Sequence, residues 1–347
     1  MKLYPCFKVI AMSMKNKLLI YLRLSRFHSG ASESLLLLVG ALIMGQREII
    51  PLVVLFFIGL LYHICGFVLN DYADIEVDKK SADLTKKPLV SGAVPKEHAL
   101  IFAISAGVGT YILALIFFFS IFTFFLLTMA ILLGGIYDFY GKKILGVSDF
   151  IIAGSLAFIF LFGASTSSMY LTTIVYLIGL AIFFGIVFAN AIEGGLKDVD
   201  HDYLSGAKTL ATALGVKVRD GCILYTNQFK AFAYWVVAMC FGFGLLISFQ
   251  PEINLWRYDY LKPGVVIFFL VVIILAIYKL LHLQLFDRKK IKRLYAVINS
   301  AAGVVLLLMV YPLIGGLVIT LILLVLPITW YIVFNIILYG KPLQPEV

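Results

Sequence analysis

Apolar residues come in runs of roughly twenty, separated by short polar links, at about 31–45, 50–70, 97–118, 121–137, 147–166, 170–191, 228–249, 263–283 and 295–314. Runs of this length cross a hydrocarbon core of about 30 Å as helices. Helix is the expected form because lipid offers no partner for an unpaired backbone N–H or C=O. A further apolar stretch, about 317–339, contains Pro327 and reads either as a tenth span or as part of a bent ninth. The pattern therefore predicts an all-α, polytopic transmembrane bundle of nine or ten spans. Residues 1–30 are expected to form a cytoplasmic or interfacial segment, 31–340 one membrane domain, and 341–347 a tail. Lys15 to Phe27 alternates basic and apolar groups, as an interfacial amphipathic helix does.

Polar residues break this pattern in two informative places. The second run ends in Asn70-Asp71-Tyr72-Ala73-Asp74-Ile75-Glu76-Val77-Asp78, and the sixth ends in Asp198-Val199-Asp200-His201-Asp202. If the helix continues through 70–78, Asn70, Asp74 and Asp78 fall at i, i+4 and i+8, with Asp71 three before Asp74. All four then project from nearly one face. Asp198 and Asp202 repeat the i, i+4 relation. Like charges so placed repel by roughly 0.2–0.5 kcal/mol per pair, so a cation is expected among them.

Composition strengthens the membrane reading: of 347 residues, 62% are hydrophobic and only 14% charged, against about 25% charged in ordinary soluble domains. The net charge of +9 lies in short links between spans and not in one stripe. That placement indicates topology and contact with anionic membrane lipids, and excludes nucleic acid as a partner. With the N-terminus in the cytoplasm, 24 Lys and Arg fall inside and three outside, which orients both acidic segments to the cytoplasm of a cell-membrane protein. Cys6, Cys65, Cys222 and Cys240 are scattered, without disulfide or zinc spacing. Ten of the nineteen carboxylates lie in 71–97 and 193–202. Lysines adjoin both windows: Lys86 and Lys87 before Pro88, Lys197 and Lys208 around the second. Carboxylates and ammonium groups at a membrane mouth suit a diphosphate held through Mg²⁺, two aspartate clusters fitting two ions. His201 reads as a solvated loop residue, and His63 and His282 as packing or interface groups.

These residues resemble the UbiA superfamily of intramembrane prenyltransferases. Asn70, Asp71, Asp74 and Asp78 match its first motif, NDxxDxxxD, and Asp198 and Asp202 match its second, DxxxD. Lys87-Pro88-Leu89-Val90-Ser91-Gly92 is similar to the family's RPxxxG segment, with lysine for arginine, and Gly206-Ala207-Lys208-Thr209-Leu210 follows the second motif in the family manner. The chain departs at Tyr203, where the family often has arginine. Its YxxxK element is only approximated by Tyr137 with Lys142 and Lys143. The resemblance covers about residues 15–314.

It implies Mg²⁺-dependent transfer of a polyprenyl group from its diphosphate to a lipophilic acceptor, either an aromatic quinone precursor or a prenylated glycerol phosphate. Asn70, Asp71, Asp74 and Asp78 would hold one metal ion and Asp198 and Asp202 the other. Lys86, Lys87, Lys197, Lys208, Tyr137 and Lys142 would meet the diphosphate. Asp71, Asp74, Asp198 and Lys142 are the expected catalytic groups. An allylic cation needs a dry pocket with π faces, which runs such as Phe117-Phe118-Phe119 and Phe183-Phe184 could supply. Two readings compete: phosphoribosyl transfer from its diphosphate to a polyprenyl phosphate, and a non-enzymatic transporter. No clear internal repeat is present and the acids lie at span ends, which disfavours the transporter.

Overall fold

The computed structural model describes residues 14–79, 84–141, 146–205, 209–253, 255–256 and 261–343. Helix α1 (Met14–Leu24) leads through a tight turn at Phe27–Ser29 into α2 (Ala31–Ile43). Then come α3 (Ile49–Asp78), α4 (Lys96–Phe117), α5 (Ile121–Tyr140), α6 (Ser148–Ser165) and α7 (Thr173–Val187). A π-helical stretch, Phe188–Gly194, joins α7 to α8 (Gly195–Ser205) without a break. After the short α9 (Leu210–Ala213) come strands β1 (Lys217–Arg219) and β2 (Cys222–Leu224), then α10 (Asn227–Ser248), α11 (Leu261–Leu281), α12 (Arg288–Val310) and α13 (Leu317–Tyr339). Among the described residues, nine helical stretches are long and apolar enough to span a membrane, with Phe27–Ile43 a shorter apolar one. The protein is a multi-pass helical membrane protein.

Three details differ from the hydropathy pattern. The apolar 317–339 stretch is a helix of its own, set off from α12 by Gly315 and Gly316, both at positive φ (105° and 90°). Pro327 lies inside α13 without ending it, as neighbouring groups allow in membrane helices. Helix α12 begins at Arg288, seven residues before the apolar run, because Asp287 caps it by accepting from the Lys290 N–H at 3.1 Å. The departures from an all-α chain among the described residues are the β1–β2 hairpin, turned by Asp220-Gly221 with φ of 50° and 75°, and an isolated antiparallel bridge from Cys222 to Leu285. Asp-Gly is a favoured pair for such a turn.

Helix α2 sits at the centre, packed against α3 and α6. Apolar packing between helices in lipid needs close approach, hence small residues at the contact. A Cβ on Gly163 would overlap the Leu37 backbone, and one on Gly40 would overlap that of Phe160. At the other seam, α13 clasps the turn after α1. Trp330 Nε1 donates to the Phe27 carbonyl at 2.8 Å, and Arg23 donates twice to the Leu338 carbonyl at 2.9 and 2.6 Å. Phe27 also meets the Phe334 ring edge-on at 4.7 Å. This clasp fixes the segment from which Arg26 projects.

Candidate active site

The first motif forms the last turns of the 30-residue α3. The helix does continue through 70–78, and Asp71, Asp74 and Asp78 are all buried, at 4%, 9% and 6% exposure. Glu76, on the opposite face, and Val77, on its flank, are exposed. Buried carboxylates persist only when countered. Lys87 supplies much of the counter-charge, its Nζ lying 3.0 Å from Asp71 and 2.7 Å from Asp78. Lys87 is carried there by the tight turns of the Lys87-Pro88 segment, where the Ser91 N–H donates to the Lys87 carbonyl at 2.9 Å. Lys86 is exposed and stands outside this bridge. Asn70 donates to Asp138 at 3.2 Å, which ties the motif to the last turn of α5 beside half-buried Tyr137.

A second cation at the first motif escaped the sequence reading. Arg26 reaches Asp71 at 3.1 Å while its guanidinium lies over the Phe67 ring at 4.9 Å. Its backbone is left-handed (φ 47°, ψ 42°), a conformation that costs a non-glycine residue roughly 1–2 kcal/mol. Two groups hold it there: the Ser29 N–H donates to the Arg26 carbonyl at 2.9 Å, and His63 Nε2 donates to it at 3.2 Å. His63 is itself buried, with Nδ1 2.8 Å from Glu33 Oε2. The expectation of a satisfied packing histidine thus has a specific form: His63 orients the turn that delivers Arg26. Only the basic character of 1–30 hinted at this, since Arg26 and Asp71 are 45 residues apart.

The second motif lies in α8, so His201 belongs to a helix and not to a loop. Lys197 meets Asp198 at 3.1 Å, with side chains 38% and 44% exposed. Asp200, between the two motif aspartates, pairs with Arg288 at 2.7 Å, and Arg288 Nε also donates to the Lys197 carbonyl at 3.1 Å. Asp202 is half-buried on the same helix. Lys142 and Lys208 lie outside the described residues.

Among the described residues, no group of three His, Cys, Asp or Glu side chains forms a ready metal cage. Lys87, set between Asp71 and Asp78, accounts for part of this by spacing two of the three carboxylates around an ammonium group. The donor set itself is all oxygen, three buried carboxylates with an amide on one face. That chemistry fits Mg²⁺, a hard ion that takes one or two carboxylates and keeps water.

Fold and site together define a polytopic helical membrane protein with two aspartate-bearing helix ends and adjoining cations. Comparison with known proteins makes this particular. The model of the UbiA prenyltransferase family matches residues 34–290, and the chain belongs to that family. A digeranylgeranylglyceryl phosphate synthase of Sulfolobus acidocaldarius is 27% identical over 235 residues, 64% of this chain and 82% of that relative. A 4-hydroxybenzoate octaprenyltransferase of Shewanella woodyi is 35% identical over 109 residues, 30% of this chain and only 38% of the relative's length. Among solved structures, one of digeranylgeranylglyceryl phosphate synthase in membranes superposes with a TM-score of 0.66 at 21% identity, covering 86% of this chain and 99% of that one. A UbiA homolog from Archaeoglobus fulgidus bound to DMAPP and Mg²⁺ gives 0.52 at 17% identity, over 90% and 98%.

Proposed function

We propose that this protein transfers a polyprenyl group from its diphosphate to a lipophilic acceptor, with Mg²⁺ as cofactor and both aspartate motifs facing the cytoplasm. The observation that carries the reading is the buried face of α3, where Asp71, Asp74 and Asp78 converge on the cation side of Lys87 and Arg26. Bound Mg²⁺ would neutralise the charge that builds on a departing diphosphate. Asn70, Asp71, Asp74 and Asp78 would hold one ion, Asp198 and Asp202 the other. Lys87 and Arg26 stand ready to meet phosphate oxygens, the preorganised electrostatic contribution that dominates such chemistry. Lys197 offers the same from the second motif, and Lys86, Lys208, Lys142 and Tyr137 complete the proposed contacts.

The acceptor is a prenylated glyceryl phosphate or an aromatic acid, and the relative that aligns over the greater length supports the first. The orientation rests on the excess of Lys and Arg on one side. The test is purified protein with geranylgeranyl diphosphate, Mg²⁺ and each acceptor in turn. Prenylated product is expected with one of them, and Asp71→Ala should lower its rate about 10²–10³-fold. No product with either, together with an Asp71→Ala variant indistinguishable from wild type, would remove the reading.

A further inference from the structure

Glu193 is 1% exposed just past the sixth apolar run, and neither motif uses it. Its Oε2 accepts a hydrogen bond from Asn299 Nδ2 at 3.0 Å. Its Oε1 is buried and has no partner among the described residues. A buried polar atom left unsatisfied costs roughly 1–3 kcal/mol and calls for an explanation. Glu193 also lies in the π-helical stretch Phe188–Gly194, and such turns inside α-helices concentrate at functional sites.

Its position relates it to the proposed diphosphate site. Asp198 is five residues further along the same continuous helix, about 7 Å along the axis. Glu193 thus lies one to two turns from the second motif, on the side of the helix that α12 covers. Helix α12 is pinned to this stretch at two levels, by Arg288 on Asp200 at 2.7 Å and by Asn299 on Glu193. Between those levels, Tyr295 has the carboxyl groups of Glu193 and Glu33 as neighbours. Tyr295 and Asn299 are themselves exposed, so the carboxyl group lies one side chain below an accessible face.

We infer that Glu193 and Asn299 form the polar end of the acceptor subsite, with the unpartnered Oε1 hydrogen-bonding the acceptor's free hydroxyl. The group recognised is the neutral hydroxyl of an alcohol-bearing lipid, since the carboxyl groups near Tyr295 can accept from a hydroxyl and would leave a phosphate head to lie away from them. The inference rests on the prenyl-transfer reading and names the acceptor group recognised.

The test compares wild type with Glu193→Leu, using geranylgeranyl diphosphate, Mg²⁺ and geranylgeranylglyceryl phosphate. The deoxy analogue, a prenyloxypropyl phosphate, serves as competitive inhibitor. Glu193→Leu should raise the acceptor KM about tenfold, leave the donor KM within about twofold, and leave inhibition by the deoxy analogue unchanged. Glu193→Gln, which keeps a hydrogen-bonding oxygen at that position, should restore most of the acceptor KM and also guards against a folding defect in the leucine variant. An acceptor KM unchanged in Glu193→Leu, or an analogue weakened as much as the acceptor, would overturn the inference while leaving the transfer reading intact. Wild-type protein that prenylates neither this acceptor nor 4-hydroxybenzoate removes both.

Discussion

The two aspartate-bearing helix ends are built differently. At the end of α3 the three carboxylates are buried, and Asp71 and Asp78 are locked to cations from two other segments, Lys87 from the following turn and Arg26 from the N-terminal one. At α8 the motif is half exposed, its lysine is a chain neighbour, and its firmest tie runs through Asp200 to Arg288, outside the DxxxD pair. A preset, desolvated half and a looser half suit a site in which one motif is held ready and the other adjusts as the polyanion arrives. The π-helical stretch before α8 supplies a place where that adjustment can occur, while α3 is regular helix over its whole length.

If this contrast is correct, substitutions in the two regions should differ in size. Lys87→Met leaves Asp71 and Asp78 buried beside an apolar side chain, and should cost about 3–5 kcal/mol of stability, read as a large drop in thermal midpoint in detergent. Arg288→Ala removes a pair whose side chains are 30% and 29% exposed, so solvent screening limits the loss to about 1 kcal/mol. Its effect on transfer should exceed its effect on melting, because α8 loses its anchor. Trp330→Phe removes the indole hydrogen bond to the Phe27 carbonyl and keeps most of the ring packing. A loss of about 0.5–1 kcal/mol is expected, with a modest rise in donor KM as the Arg26 turn loosens. Equal melting losses for Lys87→Met and Arg288→Ala would break the comparison.

Legibility in the sequence followed the same divide. The first motif could be read from spacing alone because α3 simply continues past its apolar run, carrying Asp71, Asp74 and Asp78 onto one face. The span pattern was equally legible, since length and apolarity dictate it. What stayed hidden depends on contacts between distant segments. Arg26 acts only because a left-handed turn, the His63–Glu33 pair and the α13 clasp aim it at Asp71. Asp138 meets Asn70 across 68 residues, and Glu193 meets Asn299 across 106. The early start of α12 was missed because a charged cluster reads as a loop by hydropathy, although Asp287 is an N-cap signal that could have moved the boundary.

The central claim is that the two motifs hold one ligand. Calorimetric titration with geranylgeranyl thiodiphosphate and Mg²⁺, on wild type, Asp74→Asn, Asp198→Asn and the double variant in lipid nanodiscs, addresses it directly. Groups that share a ligand couple by about 0.5–3 kcal/mol, so the double variant should bind little worse than the weaker single one. Losses that simply add, or an Asp198→Asn protein that binds the analogue as wild type does, would contradict a shared site.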